Sequence, residues 1–264
     1  MTIIEAMQAR RSVRSFDGSR LTSIQTELLQ HAIEESYSPF GGRVTIRLKE
    51  FDLRQGFKPS TYGFIKGATT FFLLAMADDE ASALTAGFQF EQVILHAWQM
   101  GLGTCWIAGT FKCSDFDRDE TWPDDEMLKV VSPVGHAIHP TFREKLMRLA
   151  AGSKHRKPFD TLFFNRDCST YVAPDNQFRE ALEMLRLAPS STNSQPWRAL
   201  VSDDRVDFYC LPKGPLAPLD TGIGICHFVE TEKFYGYEGT FSKITDAPQT
   251  PDNWRYLVSY SRLS

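Results

Sequence analysis

Three guanidiniums and two hydroxyls fall within the run Arg10-Arg11-Ser12-Val13-Arg14-Ser15-Phe16. That equipment suits a phosphate monoester, because arginine donates paired hydrogen bonds to its oxygens and stays charged when partly buried. A solvated basic turn would have the same composition. A second cluster, Ala188-Pro189-Ser190-Ser191-Thr192-Asn193-Ser194-Gln195-Pro196-Trp197, sets four small hydroxyl residues, an Asn and a Gln between two prolines. Such a stiffened loop can present donors and acceptors to the edge of a planar heterocycle or to a polyol chain. An ordinary polar connection anchored by Trp197 would read the same. Arg156-Lys157-Pro158 is a third basic element. It could reach the same phosphate if the chain folds back, or serve as solvated charge at a helix end.

Other chemistry finds little support. His136 and His139 stand beside Pro140, but no acidic residue or cysteine completes a metal-ligand spacing, so no metal site is expected. His31, His96, His155 and His227 are isolated. There is no G-x-G-x-x-G, no Walker loop, no G-x-S-x-G and no Ser/His/Asp pattern. Asp220 precedes a glycine-rich helix start that could bind an anion, although capping that helix is its simpler role.

These clusters need elements to carry them. The spacing predicts a first helix over Thr2 to Arg10 and a second over Ser23 to Ser36, capped by Thr22 or Ser23, with Leu28, Leu29, Ala32 and Ile33 on one face. Val44, Ile46 and Leu48 alternate with polar residues as in a half-exposed strand, and Phe71 to Ala77 reads as a buried one. A long helix is expected over Thr85 to Met100, ended by Gly101, and a glycine-punctuated loop over Gly101 to Gly109. An acidic surface excursion over Asp115 to Glu126, a strand over Lys129 to Ser132 and a basic helix over Arg143 to Lys157 follow. In the second half, a helix capped by Asp175 runs to Leu187 and ends in Ala188-Pro189, as the Ser23 helix ends in Ser38-Pro39. Strands over Arg198 to Val201 and Arg205 to Cys210 come next, then a helix opened by Asp220 as Thr85 opens its own. The order and spacing of elements repeat, the pattern of an internal duplication. Repeat boundaries of 1–153 and 154–264 follow, both repeats in one intertwined unit.

The chain has 264 residues, 42% hydrophobic and 23% charged, enough for a substantial core and too apolar for a disordered chain. A net charge of −4 argues against a nucleic-acid partner. Five scattered cysteines without a C-x-x-C pair argue against a disulfide framework; Cys105 and Cys113 are expected to be buried and structural. No targeting segment or membrane span is visible, which predicts a cytoplasmic location.

Together the clusters resemble the FMN-dependent nitroreductase family. Its R-x-S-x-R-x-F segment is met as Arg10, Ser12, Arg14 and Phe16, and its A-P-S-x-x-N-x-Q-P-W motif is complete over Ala188 to Trp197. Its G-L-G-T-C-W-x-x-G loop is Gly101 to Gly109, and V-x-P-x-G and R-K-P segments match Val131 to Gly135 and Arg156 to Pro158. One departure matters: the first half carries Ser38-Pro39-Phe40-Gly41-Gly42-Arg43 where the family places A-P-S-x-x-N, and the intact motif stands in the second half. Phe163-Phe164-Asn165-Arg166-Asp167 is taken as the second half's reduced counterpart of the arginine segment. The chain therefore resembles the single-chain, duplicated branch, the putative TM nitroreductases.

The resemblance implies an α+β sandwich, an antiparallel sheet flanked by helices, with two fused repeats forming a monomeric pseudo-dimer. It implies one FMN between the halves and NAD(P)H as reductant. Arg10, Arg11, Ser12 and Arg14 would hold the phosphate and ribityl chain, with Arg14 also a candidate partner for the flavin N1 edge, and Arg156 and Lys157 would add charge. Pro189, Ser190, Asn193 and Gln195 would contact ring and ribityl oxygens. Ile107, Ala108 and Gly109 would bring main chain near flavin N5, with Ala108 where several members carry Glu. The implied activity is two-electron transfer to a nitroaromatic, a quinone or a similar small acceptor. No protein nucleophile or general base is needed, since the chemistry is the cofactor's. The alternative is a flavin-binding protein with little turnover.

Overall fold

The structure, a computed structural model, describes residues 1–52, 57–138, 155–248, 250 and 254–263. The basic helix expected over 143–157 therefore lies almost wholly outside the described residues, as do His139 and the expected repeat boundary.

Two sheets face a central pair of helices. The first sheet holds β1 (Val44–Glu50), β2 (Thr70–Ala77), β3 (Gly103–Thr104) and β4 (Glu126–Gly135) in the order β1-β2-β4-β3, all antiparallel. The second holds β5 (Phe163–Asn165), β6 (Trp197–Val201), β7 (Arg205–Cys210), β8 (Gly239–Ser242) and β9 (Arg255–Arg262) in the order β5-β6-β7-β9-β8. Without β5, which pairs in parallel with β6, the second order repeats the first. The register shift between Leu74 and Ala75 in β2 is matched by one between Phe208 and Tyr209 in β7. The class is thus α+β, with one parallel strand pair among the described residues in an otherwise antiparallel pair of sheets.

Local chemistry accounts for the helix starts. In α1 (Ile3–Ala9), the Thr2 hydroxyl accepts from the Glu5 N–H while the Glu5 carboxylate accepts from the Thr2 N–H. Thr22 and Gln25 do the same for α2 (Ser23–Glu35). The next helix, α3 (Glu80–Gln99), begins a turn earlier than its apolar spacing suggests. Asp79 caps it, its carboxylate accepting from the Ser82 N–H and hydroxyl at 2.8 and 2.7 Å. A short α4 (Cys113–Phe116) interrupts the acidic excursion. There Asp115 is buried, accepting from the Ser60 N–H at 3.0 Å, and Cys113 is exposed, against the expectation of a buried thiol; Cys105 is buried. The helix α5 (Arg179–Leu187) starts later than Asp175, because Asn176 closes a turn there: its side chain accepts from the Phe178 N–H. Finally, α6 (Ala217–Phe234) carries Asp220 inside its first turn instead of at its cap.

The core lies where α3 and α6 cross. Both are buried on nearly every side, α3 packing on the first sheet and α6 on the second. The crossing is a backbone contact. A Cβ at Gly87 would sit 2.0 Å from the Leu219 carbonyl oxygen, and one at Gly222 would sit 2.2 Å from that of Leu84. Phe88, Phe90, Trp197, Phe208 and Phe228 fill the space around it. A smaller cluster of Val13, Phe16, Phe51, Phe71 and Phe116 fixes the chain that follows α1.

One expected correspondence fails. The arginine run lies along the β3 edge of the first sheet, where Ser12 bridges Thr104. Phe163 to Asn165 forms β5 on the β6 edge of the second sheet, and β6 occupies the place of β1. The two segments are not equivalent, since main-chain pairing put them on opposite edges.

Candidate functional site

The arginine run leaves α1 as extended chain. The Val13 N–H donates to the Thr104 carbonyl at 2.8 Å and the Phe16 N–H to that of Lys66 at 2.9 Å. Val13 and Phe16 are buried and Arg11 is exposed, with its guanidinium 5.9 Å from the Trp98 ring. Arg10 turns inward, its side chain only 6% exposed, with Nε 3.6 Å from Oε1 of the fully buried Glu91. Glu91 Oε2 accepts from the Trp106 indole N–H at 2.8 Å, and His227 Nε2 stands 3.0 Å from Oε1. His227 Nδ1 is 3.1 Å from the Met184 carbonyl, which can only accept, so Nδ1 carries a proton. Glu91 is thus shared among Arg10, Trp106 and His227. The Arg10 NH1 atom is buried with no hydrogen-bond partner among the described residues.

Arg156 comes close to Arg10. Burial, then the repulsion of Arg10 and Arg186, holds its pKa below the usual arginine value. Its guanidinium donates to the Leu187 carbonyl through Nε and NH2 at 3.2 and 2.9 Å, and to Asn193 Oδ1 at 3.1 Å. The Gln195 side chain accepts from the Lys157 N–H at 2.8 Å and donates to the Asn193 carbonyl at 3.2 Å. Lys157 Nζ donates to the carbonyls of Ser194 and Gln195 at 2.7 and 3.1 Å. Burial, then the nearby Lys213 and Arg198, pushes its pKa down to about 8.

The loop so gripped is unusual in its backbone. Thr192, Asn193 and Gln195 have φ of 49°, 56° and 47°, in the left-handed region that side chains disfavour. The Ser190 hydroxyl accepts from the Gln195 N–H at 2.9 Å, closing the turn. Asp220, 3% exposed, accepts from the Ser191 N–H at 2.9 Å and the Ser194 hydroxyl at 3.3 Å. Burial pushes its pKa up to about 7 against those two hydrogen bonds. A pKa raised on folding gives stability that is complete below the ordinary value of 3.8 and is lost as pH rises through about 7. Asp220→Asn, which cannot ionise, should therefore raise Tm by several degrees at pH 8 and leave it unchanged at pH 4. Equal Tm values at both pH values would show that Asp220 does not titrate in this window.

The structure thus brings Arg10, Arg156, Lys157, Ser190, Asn193 and Gln195 together. Asn193 and Gln195 are turned onto the Arg156–Lys157 segment, so their first task is to lock that segment to the loop. Ile107 is buried, and its N–H already donates to the Val131 carbonyl at 3.0 Å. The N–H groups of Ala108 and Gly109 make no main-chain hydrogen bond among the described residues. Arg14, Ser12 and Pro189 are half-buried beside these segments in the chain. Sequence reading passed over Glu91, took His227 as isolated and Asp220 as a helix-start residue, and saw Trp106 only as part of the glycine loop. Its available signal was a carboxylate and an imidazole on otherwise apolar helix faces, where a buried charge requires a partner. Two clefts lie elsewhere, one bordered by Arg43, Asp78 and Asp125, the other by His31, Tyr37 and His96, and neither touches the arginine run. No group of His, Cys, Asp and Glu among the described residues could hold a metal ion, and no helix of theirs is long and apolar enough to cross a membrane.

An α+β fold of two like-ordered sheets around crossed helices, with arginines converging beside a polar Pro-flanked loop, defines a nitroreductase-like protein. The sequence profile described as Putative TM nitroreductase matches residues 2–231, and the chain belongs to that family. The crystal structure of a putative nitroreductase from Thermotoga maritima aligns with a TM-score of 0.63, covering 99% of this chain and 93% of that one at 19% identity. FMN-bound nitroreductases from Bacteroides fragilis (TM-score 0.41, 14% identity, 53% of this chain and 90% of that) and Desulfitobacterium hafniense (0.44, 12%, 53% and 92%) align over about half of it. No curated protein sequence matches the chain.

Proposed function

We propose that this protein is an FMN-dependent oxidoreductase that takes electrons from NAD(P)H and delivers them pairwise to small acceptors such as nitroaromatics or quinones. The observation that carries the reading is the approach of the half-buried Arg156 to the buried Arg10 side chain, whose NH1 has no hydrogen-bond partner among the described residues. Two guanidiniums brought near one another are stabilised by an anion, and a phosphate monoester supplies one. The residues present fit the group. Arg10 and Arg156 would hold the phosphate, with Arg11, Ser12 and Arg14 along the same segment. The Pro189–Gln195 loop would meet the polyol and ring, and the Ala108 and Gly109 N–H groups would face the ring. Bound FMN would supply the redox chemistry, with N5 accepting hydride and returning two electrons to the acceptor. The chain itself binds, orients and excludes water.

The same reading makes the chain a fused duplication, a monomer with repeats 1–153 and 154–264. The repeated sheet order and the glycine-to-glycine crossing of α3 and α6 support it. It also gives one cofactor per chain. The reciprocal place, beside Ser38 to Arg43, has Phe40 packed edge-on against Phe88 and Phe241, with ring centroids 5.4 and 5.1 Å apart, where the other half has its polar loop. Titration with FMN, desalting and an absorption spectrum should therefore give saturation at one flavin per chain, and size-exclusion chromatography should give a monomer. Two flavins per chain would exclude the single site, and none would exclude the cofactor. Steady-state NAD(P)H oxidation then separates turnover from binding alone.

A further inference from the structure

Asp220 belongs to no part of the chemistry above, yet it is buried within hydrogen-bond distance of the loop given to the cofactor. It is fixed on its own side: its N–H donates to the Leu216 carbonyl at 2.8 Å within α6, and Gly222, at the helix crossing, follows two residues on. Its two oxygens take separate partners in the loop, the Ser191 N–H and the Ser194 hydroxyl. Between those partners lie Thr192 and Asn193, and just beyond them Gln195, all left-handed. For the β-branched Thr192 that conformation is strained, and it persists only where its surroundings over-determine it. From the opposite side His155, Arg156 and Lys157 hold the loop.

The first half supports the comparison. Thr85 stands two residues before Gly87, as Asp220 stands two before Gly222. Its hydroxyl accepts from the Ser38 hydroxyl and the Gly42 N–H, both at 3.1 Å. A neutral hydroxyl suffices there for a turn without left-handed side-chain-bearing residues, since its left-handed residue is Gly41. The second half, with three such residues, has a two-oxygen acceptor instead.

We propose that Asp220 is a positioning residue for the cofactor loop, its two hydrogen bonds holding Ser190 to Gln195 in the strained form that receives FMN. This rests on the flavin reading above. The test measures the FMN dissociation constant by flavin fluorescence, with Tm alongside, for wild type, Asp220→Ala, Asp220→Asn and Asp220→Ala/Thr192→Gly. Asp220→Ala should weaken binding about tenfold or more, the scale of a lost charged hydrogen bond. Asp220→Asn keeps an acceptor for Ser191 and an amide for the Ser194 oxygen, so it should stay within about threefold of wild type. Thr192→Gly removes the left-handed penalty and should recover part of the loss in the Ala background. Faster hydrogen exchange at Ser191 to Gln195 in Asp220→Ala reports the loop directly, and is read even if that variant binds no flavin. Wild-type affinity in Asp220→Ala overturns the proposal. So does an Asn variant as weak as Ala, or a Thr192→Gly that recovers nothing, since either would mean the charge itself faces the cofactor. A wild-type protein that takes up no FMN overturns the flavin reading and the proposal with it.

Discussion

Alanine at Gly87 or at Gly222 should cost at least about 3 kcal/mol of folding stability, the upper end of what overpacking a core removes. The added methyl would lie 2.0 Å from the Leu219 carbonyl oxygen in one case and 2.2 Å from that of Leu84 in the other. Neither obstacle is a side chain that can turn aside. The helices must part, and separation opens voids among Phe88, Ile94, Ile223 and Phe228, each almost wholly buried. The double variant should cost less than the sum of the two, because helices already parted accommodate the second methyl. Urea denaturation of the three variants measures this. Gly109→Ala is the control, since a Cβ there meets nothing within 4 Å. A Gly87→Ala protein within about 0.5 kcal/mol of wild type, the range of ordinary surface changes, would mean that the helices do not cross where described.

Arg10→Ala should weaken FMN binding by about 1.5–3 kcal/mol, the range for a hydrogen bond to a charged group, or roughly ten- to 150-fold in dissociation constant. Arg10 separates the hypotheses better than its neighbours do. Arg156 also holds the Leu187 carbonyl and Asn193, so its loss would disturb the loop and the charge together. Arg11 is exposed against Trp98, and its replacement should change affinity less. In Arg10→Ala, Glu91 keeps both His227 and Trp106, so the fold should survive. Isothermal titration with FMN reads the outcome, and unchanged affinity would remove Arg10 from the site.

Much of this was legible in the residues, and the gaps have physical causes. Apolar spacing located α2, β1, β2 and the body of α3, because each buries a face whose period is its own. The loop motif and the arginine run were joined by the family resemblance, since each alone also fits an ordinary turn or connection. What stayed hidden depended on partners distant in the chain. Glu91 and His227 are 136 residues apart, and only the α3–α6 crossing makes them a pair. At three residues, β5 is too short to show a period, and its identity comes from pairing with β6. The start of α3 at Glu80 rests on a single capping side chain, Asp79, ahead of a small-residue turn that carries little amphipathic signal. The single arginine in Phe163 to Asp167 invited a comparison with Arg10 to Arg14 that sheet topology does not allow.

The helix crossing also sets a timetable for synthesis. By the time Gln99 is made, α3 has its first sheet's strands β1 and β2 to lie on, but the surface meant for α6 has no cover until Phe234 has been added. At ~5–20 residues per second, that wait is on the order of ten seconds for a nascent chain, with no local contact to substitute. A ribosome carrying only the first half therefore displays a helix face that the finished chain buries. The first half released alone is expected to associate through that face, while the fused chain holds the covering helix tethered and at high effective concentration.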